Sequence, residues 1–295
     1  MKIGLNQDAF YKIDKPHAQV LGKLKNIGFE SLDYPVYGPW NHPNPIFSQP
    51  REGWVKYFNE ERKIIDGEGL FVSQTHATFR PDFDPENFNY FSQKVVDQLT
   101  REIEATAILG AKYIVVHPIR ISTFQKDKQI DFERNVSEFS KLIPALKQFG
   151  VKCALENLFF EDASITGLGA TGCSFPSDLL KYAKALGEEF CTCLDTGHAQ
   201  ILSIDPAAAV ETLGSSLKVL HVNDNDKFRD RHYPIGVGSI DWKEFITALH
   251  KVGYEGVFNL ELSLSNYLNI GEEVLWKMAE YCYLSTKYKL ENFDK

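Results

Sequence analysis

Phe190-Cys191-Thr192-Cys193-Leu194-Asp195-Thr196-Gly197-His198 is a short apolar run that stops on a carboxylate, with an imidazole three residues further on. Three other runs end in a similar way: Lys152-Cys153-Ala154-Leu155-Glu156-Asn157, Leu217-Lys218-Val219-Leu220-His221-Val222 and Gly256-Val257-Phe258-Asn259-Leu260-Glu261-Leu262. Short runs rich in Val, Leu, Phe and Cys, bounded by polar turns, read as strands buried on both faces. Each therefore delivers a metal-type ligand at the tip of a strand. In chain order, Glu156, Asp195, His221 and Glu261 form an oxygen and nitrogen donor set suited to a hard or borderline divalent cation. One such residue carries little information. Four in succession point to a ring around one ion.

Working outward, the same reading places strands near Ile3–Asn6, Ser31–Pro35, Leu70–His76 and Tyr113–His117, ahead of the four already quoted. Amphipathic stripes lie between them. Phe88, Phe91, Val95, Leu99, Ile103 and Ala107 recur at helical spacing, and so do Phe132, Val136, Phe139, Leu142, Leu146 and Phe149. Pro144 should kink or break the second of these helices. Helix-to-strand joints are short and end on glycine, at Gly28, Gly67, Gly110, Gly150, Gly187, Gly214 and Gly253. Strand-to-helix joints are long, near 36–53, 78–85, 119–130, 158–177 and 223–240. Long loops thus crowd the end where strands stop, which is where an α/β barrel builds its site. The expectation is a single-domain α/β protein, a (β/α)8 TIM barrel over residues 1–295. A doubly wound open sheet is the rival, but Asn6-Gln7-Asp8 after the first strand is no glycine-rich phosphate turn.

With 43% hydrophobic and 24% charged residues the composition is that of an ordinary globular protein. A formal charge of −8 tilts against a nucleic-acid partner. The start, Met1-Lys2-Ile3-Gly4-Leu5, runs directly into a strand without a signal-peptide pattern, and no apolar run is long enough to span a membrane. The five cysteines, Cys153, Cys173, Cys191, Cys193 and Cys282, read mainly as small hydrophobes, although Cys191 and Cys193 alternate as a CxC pair would. A cytoplasmic location follows from these signals, and they leave room for a homo-oligomer.

The ring of Glu156, Asp195, His221 and Glu261 would carry a formal charge of −3 with a neutral imidazole. Like charges held together resist joint ionisation, and a divalent ion resolves the repulsion. The alternative is four separate polar groups, each satisfied by a neighbour. More donors fall at the same predicted face: His76 and His117 close strands three and four, His198 follows Asp195, and Asp230 and His232 lie in the loop after His221.

At these residues a resemblance emerges. The segments Leu155-Glu156-Asn157, Leu194-Asp195-Thr196-Gly197-His198, Leu220-His221-Val222-Asn223-Asp224 and Pro234-Ile235-Gly236-Val237-Gly238-Ser239-Ile240-Asp241-Trp242 resemble the xylose isomerase-like TIM-barrel superfamily, over the whole chain. Two branches compete. The ketose 3-epimerase branch implies one divalent metal on Glu156, Asp195, His221 and Glu261. Glu156 and Glu261 are then the catalytic pair, moving a proton beside a carbonyl through an enediolate, and His198 contacts the sugar. His232 stands where that branch carries a substrate-contacting arginine. The endonuclease IV branch implies three zinc ions on nine ligands: His76, His117, Glu156, Asp195, His198, His221, Asp230, His232 and Glu261. The first strand lacks that branch's His-Val-Ser type start, and Leu158-Phe159-Phe160 replaces its small turn after Glu156-Asn157.

The loop Tyr34–Trp54 is rich in proline and aromatics, and Trp40 is expected to stack on a sugar. Arg80, with Arg120 beside it in the next loop, is a candidate for a substrate phosphate or carboxylate. The favoured expectation is a sugar or sugar-phosphate isomerase or epimerase using Mn2+, Zn2+, Mg2+ or Co2+, one ion or up to three. Its partner is a small-molecule sugar, with neither nucleic acid nor membrane. A three-zinc phosphodiesterase acting on abasic DNA is the runner-up, and a barrel that binds a carbohydrate without turning it over is a third class.

Overall fold

Strand and helix alternate along the chain as the hydrophobic pattern requires. The computed structural model describes residues 1–38, 42–78, 91–118, 128–162, 167–170 and 172–293. In chain order the strands are β1 (Ile3–Asn6), β2 (Ser31–Pro35), β3 (Phe71–His76), β4 (Tyr113–Val116), β5 (Lys152–Glu156), β6 (Phe159–Asp162), β7 (Gly167–Ala170), β8 (Phe190–Asp195), β9 (Leu217–His221) and β10 (Phe258–Leu260). Among the described residues, eight of these form one parallel sheet in the order β10-β1-β2-β3-β4-β5-β8-β9. The ring closes between β9 and β10, where Val222 N donates to Asn259 O at 2.8 Å and Glu261 N donates to Val222 O at 3.0 Å. This is a (β/α)8 TIM barrel, and the open sheet is excluded.

Helices cover the outside: α1 (His17–Ile27), α2 (Arg51–Gly67), α3 (Gln93–Ile108), α4 (Lys128–Ser140), α5 (Ile143–Phe149), α6 (Pro176–Leu186), α7 (Thr196–Ile201), α8 (Pro206–Leu213), α9 (Trp242–Lys251), α10 (Ser265–Ile270) and α11 (Glu272–Asn292). Pro144 does break its helix. It sits in the first turn of α5, where its missing N–H costs nothing. Gly28 caps α1 at φ 126°, and the ring of Tyr283 leaves no room there for a Cβ. Gly67 departs from the expectation: it is the last residue of α2, and the left-handed turn falls on Gly69 at φ 72°.

Side-chain parity then sorts the residues into two cores. Leu5, Leu32, Leu155, Leu194 and Leu220 point outward and are fully buried under the helices with Ile103 and Phe245. Val115, Ala154, Cys191, Cys193 and Val219 point inward and fill the barrel. All five cysteines are free and buried, so Cys191 and Cys193 act as packing residues. The segment 158–177, expected as a loop, carries the antiparallel hairpin β6–β7, with Phe159 opposite Ala170 and Asp162 opposite Gly167. Its two strands are only four residues each, and Gly167-Leu168-Gly169-Ala170 gives little strand signal. Among the described residues no helix is long and apolar enough to cross a membrane.

Small residues on the inner face are what let the ring close. A Cβ on Gly4 would meet Ser31 Oγ at 2.5 Å and Asn259 Oδ1 at 2.6 Å. Gly4→Ala should therefore destabilise the fold by about 1–3 kcal/mol through overpacking. Urea denaturation measures this, and an unchanged midpoint would refute the tight-floor argument.

Candidate metal centre

The same parity builds the site. Ala154, Cys193, Val219 and Asn259 point inward, and two residues on from each comes Glu156, Asp195, His221 and Glu261, one layer higher at the C-terminal mouth. One ligand atom from each of these four lies within 4.8 Å of the others, the geometry of a shared ion. His76 and His117 gather on Glu156, while His198 and His232 gather on Asp195. Asp230 joins the second group, with Oδ2 3.0 Å from His232 Nε2 and 3.5 Å from His198 Nε2. All nine predicted donors thus converge. Trp40, Arg80 and Arg120 lie outside the described residues.

The histidines are oriented from behind. His76 Nδ1 faces Ala77 O at 2.9 Å, His198 Nδ1 faces Asn157 O at 2.9 Å, and His232 Nδ1 faces Glu261 O at 2.9 Å. A carbonyl only accepts, so each Nδ1 carries the proton and each Nε2 turns a lone pair to the site. His221 is reversed. Its Nε2 lies 3.1 Å from Asp33 Oδ2, and its Nδ1 lies 3.2 Å from Glu156 Oε1 and 3.4 Å from Glu261 Oε2. Nitrogen lone pairs aimed at carboxylates repel unless a proton or a cation lies between them. His221 Nδ1 and Glu261 Oε2 are buried without a hydrogen-bond partner of good geometry, as ligand atoms suited to a cation should be. The donor set fits one divalent ion.

Protons take the cation's place in the metal-free protein. Burial opposes the charge on Glu156, yet His221 and His117 hold its carboxyl well below the usual range. Burial pushes Glu261 up to about 7 against the pull of His221 and His232, with Glu156 and Asp195 adding to the rise. Burial disfavours a charged His232, but Asp230 beside it lifts the imidazole to about 10. His198 and His221 are likewise raised against burial, by Asp195 and by Glu261 with Glu156 respectively.

Second contacts fix the ligands, and the sequence alone did not disclose them. Asp33 Oδ2 takes Gln74 Nε2 at 2.9 Å and Asn259 Nδ2 at 3.2 Å as well as facing His221. Asn157 bridges β5 to β8, donating to Asp195 O at 2.9 Å and accepting from Asp195 N at 2.7 Å. Asn223 Nδ2 donates to Asp195 Oδ2 at 2.8 Å, while Asp195 Oδ1 caps α7 by accepting from His198 N at 2.6 Å. A Cβ on Gly197 would collide with the Asn223 amide. His232 holds φ at 45°, a conformation rare for histidine, and its ring is tied to Glu261 O. The available signal was Asp33 on the inward parity of β2, and Asn157 and Asn223 one and two residues past a ligand.

A family profile described as a xylose isomerase-like TIM barrel matches residues 21–278. The Methanocaldococcus jannaschii protein MJ1311 is 29% identical over 214 residues, 70% of this chain and 68% of its own length. A probable endonuclease 4 of Mycoplasmopsis agalactiae is 25% identical over 68% of this chain and 71% of its own length. Among solved structures, a D-tagatose 3-epimerase-like protein superposes with a TM-score of 0.74 at 21% identity, covering 100% of this chain and 98% of its own.

Two outcomes follow from the geometry. Raised imidazole pKa values mean that protons compete with metal, so affinity should rise with pH, by about tenfold per unit for each proton displaced. Calorimetric titration with Mn2+ at pH 6 and pH 8 reads this, and pH-independent affinity would contradict it. Asp33→Asn should weaken metal binding by about tenfold, the low end for a residue that orients a histidine ligand from behind. Unchanged affinity would remove Asp33 from that role.

Proposed function

The chain belongs to the xylose isomerase-like TIM-barrel family, and from that premise we propose that it is a divalent-metal-dependent sugar isomerase or epimerase. One observation carries the reading: two carboxylates, Glu156 and Glu261, face each other across His221 Nδ1 at the barrel mouth. Glu156, Asp195, His221 and Glu261 would hold the cation. When bound, it lowers the cost of negative charge on sugar oxygens beside the reacting carbon.

The two glutamates differ in access. Glu156 is 1% exposed and hemmed by His117 Nε2 at 3.0 Å and His198 Nδ1 at 3.4 Å. The Glu261 side chain is 19% exposed and lines a pocket with Asp8, Tyr37 and His76. Glu261 is thus the better placed of the pair to take a proton from a carbon next to a carbonyl. Glu156, ionised by its histidines, anchors the ring and completes the acid/base pair. Likeness of fold to an epimerase-like structure supports the same reading.

A second reading is favoured by the extra donors. His76, His117, His198, Asp230 and His232 form clusters overlapping the ring, and three zinc ions there would suit a phosphodiesterase acting on abasic DNA. The likeness to a probable endonuclease 4 points the same way.

Exchange of solvent deuterium into ketoses separates the two. The metal-loaded protein should exchange one carbon-bound hydrogen of at least one ketose. Glu261→Gln should lower that rate by about a hundredfold or more, within the range for loss of a general base. Absent exchange together with nicking of an abasic-site duplex would replace the first reading with the second.

A further inference from the structure

Asp8, Pro35 and Tyr37 stand between two adjoining spaces at the barrel mouth. The inner one reaches Glu261 and His76 and offers only about 10 Å3, room for one water. Only the reacting edge of a ligand fits there. The outer one opens to about 660 Å3 and is lined by Tyr11, Tyr34, Tyr37 and Tyr57, with Lys12 and Ser265 at its rim. That volume lies in the roughly 300–1,000 Å3 range of pockets that enclose drug-sized ligands, and it exceeds what a single hexose fills. Tyrosine faces suit the apolar face of a sugar ring.

Charge narrows the choice further. Asp8 holds the boundary, both carboxylate oxygens accepting from Tyr37 Oη at 3.0 Å. Asp33 and Glu261 add two more carboxylates on the inner side. Among the described lining residues of the outer cavity the cation is Lys12, which donates to Ser265 Oγ at 2.9 Å. Among the described lining residues, a phosphate in the outer cavity would meet the single ammonium of Lys12 offset by the Asp8 carboxylate. The floor is already satisfied, since Tyr34 Oη donates to Glu61 Oε2 at 3.0 Å.

We infer that the substrate is an uncharged ketose bearing a second glycosyl ring, with the reacting sugar at Glu261 and the second ring among Tyr11, Tyr37 and Tyr57. This rests on the isomerase or epimerase reading above and names its substrate class. The reacting sugar keeps the contacts to the ring of ligands, and the second ring supplies binding from a distance.

The test compares D-fructose with four glycosyl-fructoses of different linkage, turanose, maltulose, leucrose and isomaltulose, and with D-fructose 6-phosphate, on the Mn2+-loaded protein. Calorimetry reads binding and solvent deuterium reads exchange. At least one disaccharide should bind about tenfold tighter than fructose, as a stacked ring provides, and fructose 6-phosphate should bind no tighter than fructose. Tyr11→Ala, at a residue 39% exposed and so safe for folding, and Tyr57→Leu should each shrink that advantage. Fructose binding as well as every disaccharide, or the phosphate binding best, would overturn the inference while leaving the proposed reaction intact. A disaccharide that binds tenfold tighter yet exchanges no hydrogen would keep the subsite and overturn the reaction. Neither binding nor exchange would overturn both.

Discussion

Three carboxylates cannot be crowded at the mouth of a barrel without something to hold them there, and the rest of the site is arranged around that repulsion. Glu156 and Asp195 are 1% and 0% exposed, so water does not screen them. The fold answers with imidazoles, of which His76, His198 and His232 are braced from behind by a carbonyl and His221 by Asp33, so that the other ring nitrogen turns toward the site. Such a cluster is stable only when protonated or metal-bound. A divalent cation would relieve the same repulsion, which is the physical basis for proposing one at this cluster.

The bracing comes from outside the ring. Asp195 is both a donor in the site and the N-cap of α7, and Asn157 ties its backbone to β5. Gly197 leaves space for the Asn223 amide that orients the same carboxylate. Asp224, one residue on, accepts from Gly236 N at 2.8 Å and Trp242 Nε1 at 2.9 Å, which sets the loop carrying Asp230 and His232. Small inward residues below, Ala154, Cys193 and Val219, let the strands approach closely enough for the ligands to share one centre.

Much of this was legible because side chains alternate inward and outward along each barrel strand. Once Cys193 and Leu194 are read as inward and outward, Asp195 must point inward, and the same count places Glu156, His221 and Glu261. What escaped depended on contacts between strands far apart in sequence. Asp33 reads as one polar residue in an apolar run, and its meaning comes from His221 and Gln74, which only the closed ring brings to it. The hairpin β6–β7 escaped because four-residue strands with two glycines in one of them carry almost no pattern. Gly67 was misread in place of Gly69, since two glycines so close give the same sequence signal and only the backbone angle separates them.

The four donors thus form one candidate centre with further candidate donor groups at its margins, beside a cavity larger than a simple sugar requires. Metal content of protein purified without chelator tests this most directly, measured by plasma mass spectrometry on the intact chain and on His221→Ala. The account predicts one tightly held divalent ion per chain, lost in the variant. Protein that holds no divalent ion, or that holds one equally well without His221, would contradict it.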